Sequence, residues 1–286
     1  FVGEPLYPSD FADFKSNAEV MLRGTCYAPR SSDVQCDVRC DVGSWSKTLR
    51  VVGHRVWVDR TLGGKTTDPQ PIRSIPLDYA HAYGGPGFGN NPVGKGHIED
   101  IERADQDELY QPPRSLRSAV QISDQLPNIL FADGSSHKEG LAAGFGPLNA
   151  SWPYRAGKLG TKYDQQWIDE RAPFFAVDFD WTHFQSAPPD QQLPGYLRGN
   201  ELVTLTGLHA ARKSLSVELP GVRARLFARY VDGDMREVTL NLDTLVADVD
   251  DEALYLTWRG LMPVKENDLT DVAFGLLVTE PLADKP

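Results

Sequence analysis

The stretch FGPLNASWPYRAGKLGTKYDQQWIDERAPFFAVDFDWTHFQSAPPDQQ, Phe145 to Gln192, decides how the rest of the chain is read. It holds three of the six tryptophans and five of the twelve phenylalanines. Aromatic surface on that scale calls for burial or for a partner. Prolines at 147, 153, 173, 188 and 189 divide it. Each removes a backbone N–H and restricts the residue before it, so only short helices fit. One is predicted where Thr161 and Asp164 have capping-box spacing, with Pro173 stopping it soon after Arg171. Tyr163 and Trp167, four apart, would share a face of it. A strand is predicted next. Phe175, Val177, Phe179 and Trp181 alternate with Ala176, Asp178, Asp180 and Thr182. The apolar set is expected on a core, with Asp178 and Asp180 together on the other face, roughly 7 Å apart.

Outward from this stretch the chain reads as β. On the N-terminal side a strand is predicted from Val20 to Ala28. In the next, Val34, Cys36, Val38, Cys40 and Val42 face inward and Gln35, Asp37, Arg39 and Asp41 face out. A return from Leu49 to Asp59 changes phase beside Gly53, which predicts a β-bulge. The three read as an antiparallel meander. On the C-terminal side, strands are predicted at 201–208, 214–219, 222–231 and 236–242. Leu245, Ala247, Val249 and then Leu254, Leu256, Trp258 are predicted to face inward. Periodicity leaves Val272 to Thr279 open between strand and helix. Ile98 to Gln125 is charge-rich and reads as an insertion.

Net charge is −11, which disfavours a nucleic-acid or anionic-membrane partner. No apolar run approaches a membrane span, and no secretion leader is legible. The three cysteines, Cys26, Cys36 and Cys40, are too few and too scattered for a disulfide framework or a zinc site. They fit the inner faces of strands, which predicts free thiols, no metal and a reducing, cytoplasmic setting. Gly89 to Gly96 has the glycine and lysine spacing of a phosphate-binding loop. It places Gly96 where Ser or Thr should hold magnesium, and no apolar strand leads into it. No cofactor is expected. No Gly-x-Ser-x-Gly elbow and no His-Glu-x-x-His pattern is present. Of the histidines, only His183 lies among the aromatics.

Phe145-Gly146-Pro147-Leu148, Trp152-Pro153, Arg155, Gly160-Thr161, Tyr163-Asp164, Trp167, Arg171, Pro173, Asp178-Phe179-Asp180, Phe184 and Ala187-Pro188-Pro189-Asp190-Gln191-Gln192 together resemble a bacterial domain-of-unknown-function family. Gly24, Ala28-Pro29, Gly43, Trp45, Lys47, Gly53, Arg55 and Trp57 near the start also match it, as do Leu242-Asp243-Thr244 and Thr257-Trp258-Arg259 near the end. Members of that family are encoded beside type VI secretion spike proteins, PAAR-like tip domains and pentapeptide-repeat proteins. The resemblance implies an effector adaptor or chaperone, not an enzyme. Its partner would be a PAAR-like effector, with a valine-glycine-repeat spike protein or a pentapeptide-repeat protein as further partners.

The fold expected is mainly β, with antiparallel, sandwich-like sheets at both ends joined by a long irregular, aromatic- and proline-rich segment with short helices. It is expected as one family domain over 1–286, with β-rich halves at 1–144 and 193–286 joined by 145–192. The candidate partner-binding residues are Trp152, Arg155, Tyr163, Asp164, Trp167, Asp178, Asp180, Phe184, Asp190, Gln191 and Gln192. The alternative is a carbohydrate-active hydrolase, in which paired aspartates split the acid and base roles and tryptophans stack on sugar rings.

Overall fold

A computed structural model of the chain describes residue 12 and residues 14–59, 65–97, 124–230, 233–262 and 272–282. The fold is mainly β, with antiparallel sheets and short helices only. A five-stranded antiparallel sheet runs in the order Ile129–Phe131, Trp45–Val52, Gln35–Val42, Leu202–Thr206, Ser214–Glu218. A four-stranded sheet runs Gln192–Leu193, Ala18–Arg23, Asn241–Asp248, Ala253–Arg259. Met235–Thr239, Val222–Tyr230 and Val272–Pro281 form a third, antiparallel sheet, which settles the last segment as strand.

The main core lies between the first two sheets. Val38, Cys40, Val42, Leu49, Val51, Val203 and Leu205 meet Val20, Leu22, Leu245 and Ala247 there. The alternation read for Gln35–Val42 is observed, as is the inward set from Leu245 to Trp258. Cys26, Cys36 and Cys40 are free cysteines on strands, with the Cys26 and Cys36 sulfurs 3.0 Å apart.

Of the predicted three-stranded meander only the second pairing forms, Gln35–Val42 antiparallel with Trp45–Val52. Ala18–Arg23 leaves the cysteine strand and pairs parallel with Asn241–Asp248. The first strand ends at Arg23, and Gly24 after it lies against Val249, where an added Cβ would come within 3.2 Å. No bulge forms at Gly53. The strand stops at Val52, and Gly53 packs so closely on Gln70 that an added Cβ would sit 1.7 Å from its carbonyl oxygen. The chain then starts a separate ladder, Trp57–Asp59 with Lys65–Thr66.

Parallel strands are normally covered on both faces. Ala18–Leu22 and Leu242–Asp248 are buried without interruption. One face of the pair looks into the main core. The other carries Glu19, Met21, Thr244 and Val246, and residues 185–188 lie over it, with Met21, Ala187 and Val246 in one cluster. The insertion read at 98–125 lies outside the described residues apart from Asp124 and Gln125.

Candidate functional site

The stretch from Phe145 to Gln192 divides into two parts of opposite character. Residues 185–192 are fastened to the sheets by buried polar groups. Glu19, with no exposed surface, accepts from the Lys15 ammonium, from the Ser186 hydroxyl at 2.9 Å and from the Ala187 backbone N–H at 3.0 Å. Lys15 also donates to Thr244, whose hydroxyl donates to Asp243. Burial raises the Asp243 pKa, while Arg259 holds its carboxylate.

A second network lies beyond it. The buried Lys47 ammonium donates to Gly144 O at 2.7 Å, Gln191 Oε1 at 2.7 Å and Asp190 Oδ1 at 2.8 Å. It stands over the rings of Phe145 and Phe131. Burial lowers its pKa, and Asp190 opposes that shift. The Gln191 amide donates to Val20 O and Phe145 O, and Trp45 Nε1 donates to Asp190 O. A buried lysine with three acceptors and a buried glutamine with both ends bonded make a satisfied network of high specificity.

Residues 157–184 form a lobe outside the main core. Its helix is Gln165–Glu170. Asp164 is the N-cap, accepting from Trp167 N–H at 3.0 Å, so the Thr161 capping box is not the one used. Tyr163 and Trp167 meet edge to face at 5.1 Å. The strand predicted over 175–182 is absent. The chain turns instead, then forms a 3-10 helix, Trp181–Phe184, capped by Asp180 through Thr182 N–H at 2.9 Å. Its rings pack on one another and not on a sheet. Phe175 stacks on Phe179 at 4.0 Å, and Trp181, Phe184, His183 and Phe14 close the group.

Asp178 and Asp180 are consequently not a pair on one strand face. Asp178 bonds Thr161 N–H at 2.9 Å, Lys162 N–H at 3.2 Å and the Thr161 hydroxyl at 3.1 Å. The Thr161 backbone bond leads in lowering its pKa. This approach requires Gly160, whose φ is +80° and whose added Cβ would lie 2.6 Å from Asp178 Oδ1. For Asp180, burial pushes the pKa up, and the Thr182 bonds and Lys158 outweigh it, for a net lowering.

The lobe is held to the body at its root. Arg155, buried, donates to Leu148 O at 2.8 Å and to His183 O at 3.0 Å, and His183 Nδ1 lies 2.9 Å from Arg155 O. That last contact makes Nδ1 the protonated nitrogen of the His183 ring. Trp152 is buried edge-on against Tyr79.

The candidate residues therefore separate. Trp152, Arg155 and Gln191 are buried, and Asp190 and Gln192 are tied into the fastening, the latter through Ala187 O. Tyr163, Asp164, Asp178 and Asp180 are exposed on the lobe, with Trp167 and Phe184 half-buried. Sequence reasoning missed the surface that surrounds them. Phe174 is 72% exposed and Val177 63%, and Ile168, Trp181 and Leu159 are exposed with them. Val177 and Trp181 had been assigned to a core by alternation alone. Lys15 and Glu19 were missed too. The signal available was one acid inside the otherwise apolar Ala18–Leu22 run.

At the phosphate-loop spacing, Lys95 donates to Gln125 at 3.2 Å, and the Asn91 amide donates to Tyr79 O and Tyr83 O. Among the described residues, no group of three or more His, Cys, Asp or Glu is placed to hold a metal, and no helix is long and apolar enough to cross a membrane.

Fold and site together define a mainly β protein that carries a fastened lobe with an apolar, acid-studded surface. The chain belongs to a family described as uncharacterised proteins conserved in bacteria (DUF2169), which matches residues 2–259. No curated protein and no solved structure matches the chain.

Proposed function

We propose that this protein is a type VI secretion adaptor that binds a PAAR-like effector, stabilises it and helps load it on the spike. The observation that supports a binding role is the lobe surface. Six large apolar side chains, Leu159, Tyr163, Ile168, Phe174, Val177 and Trp181, are exposed within one short stretch. Concentrated exposure of that kind marks interaction sites, since lone exposed apolar residues need no explanation. Five acids and three bases accompany them over residues 157–184, so the surface suits a partner with a basic rim.

Its backbone is already ordered by the Asp164, Asp178 and Asp180 caps, which limits the entropy lost on binding. The same caps engage the carboxylates that the hydrolase reading would need as acid and base, and for that reason binding is preferred to catalysis. The secretion assignment rests on the motif resemblance. The test is co-expression with a PAAR-like effector encoded beside the gene, followed by co-purification. The native chain is expected to capture the effector. Phe174→Ser with Val177→Ser is expected to fold normally and capture at least tenfold less. Equal capture by both chains would refute the lobe as the contact face, and no capture by either would refute the adaptor assignment.

A further inference from the structure

The five-stranded sheet ends on Ser214–Glu218, which pairs with Leu202–Thr206 and with no other strand among the described residues. Just beyond the two ends of this ladder, Leu219 N–H donates to Glu201 O and Gly207 N–H donates to Lys213 O. Bonded and non-bonded pairs alternate along an antiparallel ladder. Residues 213, 215, 217 and 219 therefore turn their main-chain groups into the sheet. Ser214, Ser216 and Glu218 turn theirs to the open edge.

Side chains alternate across the sheet faces. Leu215 and Val217 stand opposite Leu205 and Val203 and point inward with them. There they line a cavity of about 330 Å³ whose opposite wall includes Ala247 and Leu254 of the four-stranded sheet and Val249 just past Asp248. Among the described residues the sandwich is thus open along this side, with an unpaired main-chain edge beside a cavity that is apolar at Leu215, Val217, Ala247 and Leu254 and is lined by Asp248 and Glu252 as well. Sheet edges are usually blunted by charged side chains, prolines, bulges, inward charges or short length, and here the charges, Lys213 and Glu218, lie only at the two ends. Ser214–Glu218 has no proline, pairs without a register shift and leaves Val217 45% exposed.

The edge is also polarised along its length. Arg212 and Lys213 precede Ser214, and Glu218 closes the far end. His209 and Arg212 line the cavity at the basic end, and the acids Asp248, paired with Arg23, and Glu252 line it as well. His209 Nδ1 accepts from the backbone N–H groups of Ala211 and Arg212, so in the neutral ring Nε2 carries the proton and is a donor.

We infer that this edge is a recognition site for an extended segment of a partner protein, bound by strand addition. The segment bonds the main-chain groups of Ser214, Ser216 and Glu218. Two apolar side chains at alternate positions enter the cavity beside Leu215 and Val217. An acidic residue lies at the Arg212 end and a basic one at the Glu218 end. The site is built from other elements than the lobe and does not depend on the adaptor reading.

The test is selection of a random octapeptide library displayed on phage against the full chain. Recovered peptides are then synthesised with a fluorescent label and titrated by polarisation. Recovered peptides are expected to alternate apolar and polar residues, with opposite charges at their two ends. Ser216→Pro removes an N–H that bonds nothing within the sheet, and it is expected to weaken binding at least tenfold at an unchanged melting temperature. Arg212→Glu is expected to weaken the same peptides, and Phe174→Ser on the lobe to leave them unaffected. Should Ser216→Pro unfold the sheet, Val217→Asp charges the cavity from an exposed position, and the same tenfold loss is expected. Failure to recover alternating peptides, or binding indifferent to these substitutions, overturns the inference. It is also overturned if the amides of Ser214, Ser216 and Glu218 exchange slowly in the free chain, since the chain itself then covers the edge. A dimer by sedimentation that Ser216→Pro dissociates overturns it in favour of a second copy.

Discussion

Residues 185–192 and residues 157–184 are neighbours in sequence and both contain proline and acidic residues, with the aromatics in the second alone, and they are built on opposite physics. The first part is held by long-range bonds from buried polar groups. Glu19, Lys47 and Gln191 reach it from or toward distant strands. The second is held by short-range caps and by its own rings. Losing a partner of a buried charge leaves an uncompensated group in low dielectric, whereas losing an exposed cap returns a backbone N–H to water. The difference shows why one part serves as anchor and the other as a displayed surface.

The largest effect is expected from Glu19→Ala. It strands the Lys15 ammonium and frees Ser186 and Ala187, so urea denaturation should show a loss of about 3–5 kcal/mol. A loss under 1 kcal/mol would erase the contrast with the lobe. Gln191→Leu comes next. Val20 O, Phe145 O and Lys47 each lose a partner, which predicts about 2–3 kcal/mol in the same measurement.

A pH titration of stability separates the sheets from the lobe. Burial pushes the Cys40 thiol from 9.0 up to about 12. The unfolded chain therefore ionises first. The stability that the neutral thiol contributes is complete below pH 9.0 and is lost as pH rises from there toward 12, by up to about 1.4 kcal/mol per pH unit. Cys40→Ala should flatten that alkaline fall. Asp178 has the opposite sign. Its pKa is lowered by the Thr161 N–H, so its contribution is present above the ordinary carboxylate value and is lost as pH falls through the folded one. Amide exchange at Thr161 and Lys162 is expected to quicken in acid before that of the sheets. Asp178→Ala should reproduce this at neutral pH.

The smallest effect on stability is expected at the exposed apolar surface. Phe174→Ser and Val177→Ser should each shift the folding free energy by no more than about 0.5 kcal/mol. A larger loss would show that these side chains support the lobe and do not serve a partner.

The comparison also explains what could be read in advance. Alternation over Gln35–Val42 was legible because a half-buried strand imposes its period on burial directly, whereas Leu242–Asp248 is buried on both faces and its alternation marks only which side chains meet the main core. The same period over Phe175–Trp181 misled, because rings two apart can equally stack on each other when no neighbouring strand is there to pair. Period carries no information about a partner strand. The parallel pairing of Ala18–Arg23 with Asn241–Asp248 was illegible for the same reason. Of the fastening, Asp190, Gln191 and Lys47 stood in the recognised motifs, but nothing local joined Lys47 to residues so far along the chain. The lobe was legible as an aromatic, acid-bearing segment. Its exposed face was not, because exposure depends on what the rest of the chain leaves uncovered.

The parallel pair also sets a timetable. Arg23 and Asp248 are ion-paired across 225 residues of chain. At roughly 5–20 residues per second of synthesis, the first strand is made on the order of ten to forty-five seconds before its neighbour. Through that interval Val20, Met21 and Leu22 have no permanent cover, and Glu19 has no Thr244 or Val246 beside it. Any ribosomal stall or nonsense codon before Asn241 leaves that edge open, a ready target for quality control or for aggregation. The four-stranded sheet can therefore be completed only after Asn241–Asp248 has emerged, when most of the chain has been made.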